Sequence, residues 1–193
     1  IVALAIHEAS LDLTAGNADR ARRWLERLLR WPLPGLGDHP WLLLARARFQ
    51  TDDLDGALAA LDRIRRPQTW GVEALRIQMA IGREGPAVAH AVAERLRADP
   101  RQVPVAEAIT ALALLYEDRA DEVVARADPI LALRNGEPRR LAVLLLAAAF
   151  APTDPARARR LLAETRWDAR LAASIARPWP PVAERLMALA PRK

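Results

Sequence analysis

Prolines and glycines cut this chain into short pieces, and each piece places apolar residues at i, i+3, i+4 and i+7. That spacing gives a helix one apolar face, and the strict alternation of a half-buried strand is absent. Thirteen helices are predicted, over 2–14, 18–31, 40–50, 54–65, 71–82, 86–98, 104–117, 119–127, 129–135, 138–150, 155–166, 168–177 and 181–190. Alanine fills 41 of 193 positions and β-branched residues are scarce, which favours helices with closely approaching backbones over a sheet. The expected fold class is all-α. Some helix ends have a visible mechanism. Asp128 and Asp154 each stand before a proline, joining an N-cap oxygen to a residue suited to the first helical position. Gly16, Gly82 and Gly136 follow apolar runs, where a left-handed residue closes a helix. The segments 31–35 and 178–181 are proline-stiffened joints.

Charge and hydropathy exclude several classes. Lys+Arg is 29 against 24 Asp+Glu, a formal +5, but the acids are interspersed with the cations. A dedicated nucleic-acid binder concentrates its cations in one stripe. Every cation except Lys193 is an arginine, a bias spread along the chain as a GC-rich coding sequence would spread it. The longest apolar run, Leu141 to Ala151, is eleven residues and stops at Pro152. A bilayer span needs roughly 20, so this run reads as a buried helix. The chain starts at Ile1 without a basic leader and is expected to be a fragment or a processed product, with 1–6 as a candidate remnant of a removed segment. Without cysteine the compartment is open, the cytoplasm being favoured over the periplasm.

Short helices joined by tight turns invite a search for internal repeats. The clearest unit runs from His39 to Pro67. It contains Trp41-x2-Leu44-Ala45-x2-Arg48, the polar turn Thr51-Asp52-Asp53, Ala57-x3-Leu61 and the closing Pro67. This resembles the tetratricopeptide repeat, a helix–turn–helix of 34 residues with the pattern Trp-x2-Leu-Gly-x2-Tyr, Ala-x3-Phe and Pro. Here Ala45 stands for the glycine, and Arg48, beside Phe49, for the aromatic residue. The same register begins at Ala5, Trp41, Val72, Ile109 and Ala142, at intervals of 36, 31, 37 and 33. The resemblance implies a right-handed α-α superhelix, a solenoid of about five hairpins over 3–36, 39–69, 70–102, 104–136 and 138–166. Capping helices over 167–193 would complete a single domain. Ala9, Ala21, Ala45, Ala57 and Ala113 are the expected close-approach positions, and Leu25, Leu44, Leu61 and Leu112 the expected fillers. Val182, Leu186, Leu189 and Ala190 form the expected buried side of the last helix, with Glu184, Arg185 and Arg192 outside.

Motifs for chemistry are sparse. His7-Glu8 opens like the zinc-protease His-Glu-x-x-His, but Leu11 occupies the second histidine position. His90 and Glu94 lie one turn apart, as a surface pair or, less commonly, an imidazole base with its carboxylate. Gly35-Leu36-Gly37 lacks a third glycine and leads into the helix start Asp38-His39-Pro40. Lys193 as sole lysine excludes a Walker loop within the chain, and neither Ser10 nor Ser174 sits in a nucleophile elbow. No enzyme activity, cofactor or metal is expected. Arg20, Arg23, Arg27 and Arg30 line one face of the second helix; Arg157, Arg160 and Arg166 follow a similar pattern later. Such a row could meet an acidic peptide, a carboxylate or phosphates, but the plainer expectation is a solvated face partnered by Asp19 and Glu26. The six tryptophans, Trp24, Trp31, Trp41, Trp70, Trp167 and Trp179, are expected to pack between repeats at helix ends and joints, with Trp31, Trp70 and Trp179 alternatively serving as exposed anchors for a partner.

The expected function is a non-catalytic protein-interaction scaffold. By the resemblance, a partner protein or peptide, potentially acidic, would lie on the concave face against Arg46, Arg48, Arg76, Met79 and Tyr116. Homo-oligomerisation is compatible with so apolar an array, and nucleic acid is disfavoured. Two alternatives stay open: a regulatory or substrate-presenting domain of a larger enzyme such as a glycosyltransferase, and helical-repeat RNA binding.

Overall fold

The computed structural model describes residues 2–31, 37–65, 70–133 and 136–191, without the side chains of 70, 71, 73, 74 and 136–138. Every regular element among them is helical, with thirteen α-helices, one 3₁₀ turn and no strand. They gather into two compact units, residues 1–79 and 80–193. The expectations for 32–36, Pro67 and Arg192, and for the side chain of Trp70, lie outside the described residues.

The first unit holds α1 (Val2–Thr14), α2 (Ala18–Leu29), α3 (His39–Gln50), α4 (Leu54–Leu61) and the start of α5 (Trp70–Glu84). α1 packs on α2 and α3, α2 on α3, and α3 on α4. Ala21, Ala45, Ala47 and Ala57 are fully buried at these crossings, and Leu25, Leu44 and Leu61 fill the space beside them. Small residues let the backbones approach while the leucines restore interior packing density. One carboxylate, Asp12, is buried near the end of α1 and meets Arg20 Nε at 3.3 Å.

The second unit holds the end of α5, α6 (Pro86–Arg97), the 3₁₀ turn Pro100–Gln102, α7 (Val103–Tyr116), α8 (Ala120–Ala125) and α9 (Ala127–Leu131). It continues through α10 (Gly136–Phe150), α11 (Pro155–Glu164), α12 (Ala169–Ile175) and α13 (Pro180–Met187). Two helices form its centre. α7 is buried all round from Ala106 to Leu115, α10 from Ala142 to Phe150, and the two pack on each other. A helix apolar on every side belongs inside, as the Leu141–Ala151 run implied. α6, α8, α9 and α13 cover α7; α8, α9, α11 and α13 cover α10.

One turn recurs. After α1, α3 and α7, a residue with positive φ (Gly16 +77°, Asp52 +64°, Asp118 +59°) is followed by a residue whose amide reaches back five positions. The bonds are Asn17 N to Asp12 O at 2.8 Å, Asp53 N to Arg48 O at 2.9 Å and Arg119 N to Leu114 O at 2.8 Å. This six-to-one closure satisfies carbonyls the helix leaves orphaned. After α5, Gly85 takes φ +87°. There Pro86 follows and has no N–H to make the long closure, whereas the same closure recurs after α11, where Arg166 has φ +60° and Trp167 N meets Leu162 O at 3.1 Å. The positive-φ residues that follow α1, α3, α5 and α7 stand at 16, 52, 85 and 118, intervals of 36, 33 and 33.

Three expected ends are corrected. Gly82 does not stop its helix, which runs on to Glu84 and turns at Gly85; its bare Cα instead faces the Pro178 carbonyl oxygen, 3.7 Å from where a Cβ would stand. Gly136 opens α10 instead of closing its predecessor. Asp128 is inside α9, which starts at Ala127 because a turn at Arg126 splits α8 from α9 and leaves Pro129 in the first turn. Asp154 caps as expected, its Oδ1 accepting from Arg157 N at 2.8 Å.

Candidate docking surface on the second helix

The five residues expected to line a groove are largely engaged in holding the fold. Arg48 Nη1 donates to Gly56 O at 2.9 Å, its Nε and Nη2 donate to Glu26 Oε1 at 3.3 and 3.1 Å, and Asp53 Oδ2 is 3.7 Å away. It therefore ties α2, α3 and the start of α4 together. Met79 is 2% exposed, so its thioether packs inward and offers no surface to a partner. Arg46 is half-buried and is not a free cation. Arg76 Nη2 reaches Asp62 Oδ1 at 3.3 Å across an exposed edge. Tyr116, in the second unit, buries a hydroxyl that has no hydrogen-bond partner among the described residues, and burial pushes its phenol pKa up.

The second helix presents a different surface. Arg20, Arg23, Trp24, Arg27 and Arg30 are all exposed along α2, and Trp31 follows just beyond its end. Trp24 is 48% and Trp31 71% exposed. At 100° per residue Arg20, Arg23, Trp24, Arg27 and the C-cap Arg30 lie within about a third of the helix circumference, opposite the buried Ala18, Ala21 and Leu25, and Trp31 follows in the bend just past the cap. Arg20 spends part of its charge on Asp12, whereas Arg23, Arg27 and Arg30 make no ion pair among the described residues. The acids expected to neutralise the row do not serve it. Glu26 points to Arg48, and Asp19 lies 3.9 Å from Arg22 on the flank.

The pattern is Arg-x-x-Arg-Trp at 20–24, repeated at 27–31. A seven-residue step on a helix is about 10.5 Å, so each guanidinium pair and each indole recurs once per two turns on the same side. In the sequence the arginine row and the tryptophans stand out separately, and the heptad they share is the signal that joins them. An indole with its face in solvent and guanidiniums on either side combines a large apolar contact with planar bidentate donors.

Two other expectations are corrected here. His90 does not pair with Glu94: its Nε2 lies 2.9 Å from Glu117 Oε1, while Glu94 meets Arg97. Trp24 and Trp31 do not pack between helices as expected, since each faces solvent on or just past α2, whereas Trp167 and Trp179 are buried. Among the described residues no three His, Asp or Glu side chains converge as metal ligands, and no helix is long and apolar enough to cross a membrane. No protein family, curated protein or solved structure matches this chain.

Proposed function

We propose that this chain is a non-catalytic protein-interaction domain built of tetratricopeptide-like hairpins, and that α2 docks an acidic segment of a partner protein. The positive-φ residues at 16, 52, 85 and 118, which follow α1, α3, α5 and α7, support the hairpin reading, because their intervals of 36, 33 and 33 are close to the repeat length of that family. The observation that carries the docking reading is the exposed Arg-x-x-Arg-Trp heptad. Three guanidiniums without an ion pair among the described residues, beside two solvent-facing indoles, are the residue types enriched where proteins bind one another. Carboxylates spaced one heptad apart would meet Arg20 with Arg27, or Arg23 with Arg30, while apolar groups between them cover Trp24 and Trp31. Charge complementarity selects such a segment and speeds its encounter, and the indoles hold it.

The test is fluorescence anisotropy of a labelled synthetic helical peptide carrying glutamates and leucines at heptad spacing, titrated with the protein beside a labelled single-stranded oligonucleotide of equal charge. The reading expects the peptide to bind and Trp24→Ala/Trp31→Ala to weaken it by about 30-fold or more, the scale of two aromatic anchors. Stronger binding of the oligonucleotide, with the indoles stacking on bases, would replace the protein partner by a nucleic acid.

A further inference from the structure

Among the described residues five large apolar side chains stand exposed, Leu4, Leu11, Trp24, Trp31 and Met187, and the first four lie on α1, on α2 or just past it. Leu4 and Leu11 are 62% and 56% exposed and one heptad apart, as the two tryptophans are. At 100° per residue the two leucines share an arc of about 60° with the exposed Glu8, opposite the buried Ala9 and Leu13. A single exposed leucine is ordinary, but four large apolar groups on one hairpin form a patch.

Both stripes border one furrow. Arg22 and Glu26 occupy the flank of α2 that meets α3, through Thr51 and Arg48. Arg20 and Trp24 occupy the opposite flank, and Arg20 pairs with Asp12 of α1. That pair marks the side of α1 adjoining them, and from Asp12 the circumference of α1 runs outward through Glu8 to Leu4 and Leu11. In the antiparallel hairpin, Asp12 level with Arg20 brings Glu8 level with Trp24, so the indole stands opposite the gap between Leu4 and Leu11. The edges of the furrow differ in charge. On the α2 edge Arg23, Arg27 and Arg30 make no ion pair among the described residues, and on the α1 edge neither does Glu8.

Resting on the α2 docking reading, we propose that the acidic segment is an amphipathic helix of the partner protein seated in this furrow, with α1 as its second wall. Its apolar stripe covers Leu4, Trp24 and Leu11, its carboxylates face Arg23 and Arg27, and a basic residue on its other flank faces Glu8. Charge selects this occupant over a second copy of the chain. A copy would offer Glu8 against three guanidiniums and bring three more cations of its own.

Anisotropy of a labelled helical peptide tests the furrow, the peptide carrying leucines at three-four spacing, glutamates along one flank and one lysine on the other. Leu4→Ser/Leu11→Ser in the full chain should weaken its binding about tenfold or more, with the melting temperature unchanged because both side chains are exposed. Glu8→Lys should weaken it about threefold, and exchanging the lysine of the peptide for glutamate should restore the loss. This charge swap keeps the answer readable if the double serine variant disturbs α1. Weakening by Trp24→Ala/Trp31→Ala but by neither α1 variant would leave the partner on α2 alone and overturn the proposal. No binding to the unaltered chain would remove the α2 docking reading, and the furrow with it. A dimer in sedimentation that Leu4→Ser/Leu11→Ser dissociates and that excludes the peptide would make a second copy the occupant and overturn the proposal equally.

Discussion

Glu107 is the most consequential single residue of the second unit. Its carboxylate is buried on α7, with Oε1 accepting from Arg97 Nε and Nη2 at 3.1 and 3.0 Å and Oε2 from Arg126 Nη1 at 2.8 Å. Arg97 Nη2 also donates to Thr110 Oγ1 at 2.9 Å, so one acid holds α6, α7 and the α8–α9 joint together. Burial alone would push the Glu107 carboxyl pKa up, but the hydrogen bonds and charges of Arg126 and Arg97 outweigh it and hold the pKa below the ordinary value. A group whose pKa is lower folded than unfolded stabilises the fold above its unfolded pKa, about 4.3 for glutamate. That contribution falls away as the pH drops below this value and is gone once the folded carboxyl protonates. Glu107→Gln should cost about 2 kcal/mol at pH 7, below the range for fully buried pairs because both arginines keep contact with water. The urea midpoints of the variant and the unaltered chain should converge as the pH is lowered from 6 toward 3; a constant gap would mean that packing, not charge, is what Glu107 supplies.

At the level of elements, the helices were readable because each carries its own apolar period and the breaks are punctuated by proline or glycine. The errors fall where a tertiary neighbour decides. Gly82 reads as a stop in isolation, yet the helix continues past it to Glu84 and the turn falls at Gly85. Asp52, Asp118 and Arg166 all sit at positive φ without being glycine; aspartate is a common turn residue, and Asp52 was legible in the polar turn Thr51-Asp52-Asp53, but nothing in the identity of Arg166 marked it. Arg166, at +60°, is the cleanest of the three, being exposed after α11 with Trp167 N closing on Leu162 O at 3.1 Å. An L-residue in that conformation costs roughly 1 kcal/mol that glycine does not incur. Arg166→Gly should therefore raise Tm by about 2–4 °C, part of the gain being offset by the larger entropy of the unfolded glycine. The arginine–tryptophan heptad was equally present in the residues, but which side of α2 faces outward depends on α1 and α3, and the diversion of Glu26 to Arg48 needs α3 in place. Ion pairs between residues distant in sequence are set by packing, and periodicity does not report them.

For the molecule as a whole the question is whether binding to an acidic partner needs the α2 surface or only the formal charge of +5. A protein with an isoelectric point near 10.9 attracts any polyanion at low salt, so affinity alone does not locate a site. Two triple variants separate the cases, because each removes three positive charges. Arg23→Gln/Arg27→Gln/Arg30→Gln takes them from α2, and Arg101→Gln/Arg170→Gln/Arg177→Gln takes them from exposed positions in the second unit that make no ion pair among the described residues. With a screening length of about 8 Å at physiological salt, a charge acts mainly on what it touches. The α2 triple should therefore weaken the acidic heptad peptide by about tenfold or more at 0.15 M salt, and the other by less than about twofold. Neither should move the melting temperature appreciably, since all six arginines are exposed and lack an acid partner among the described residues. Equal losses from the two triples, both vanishing as salt is raised, would reduce the interaction to net charge; unequal losses that persist place it on the face shared with Trp24 and Trp31.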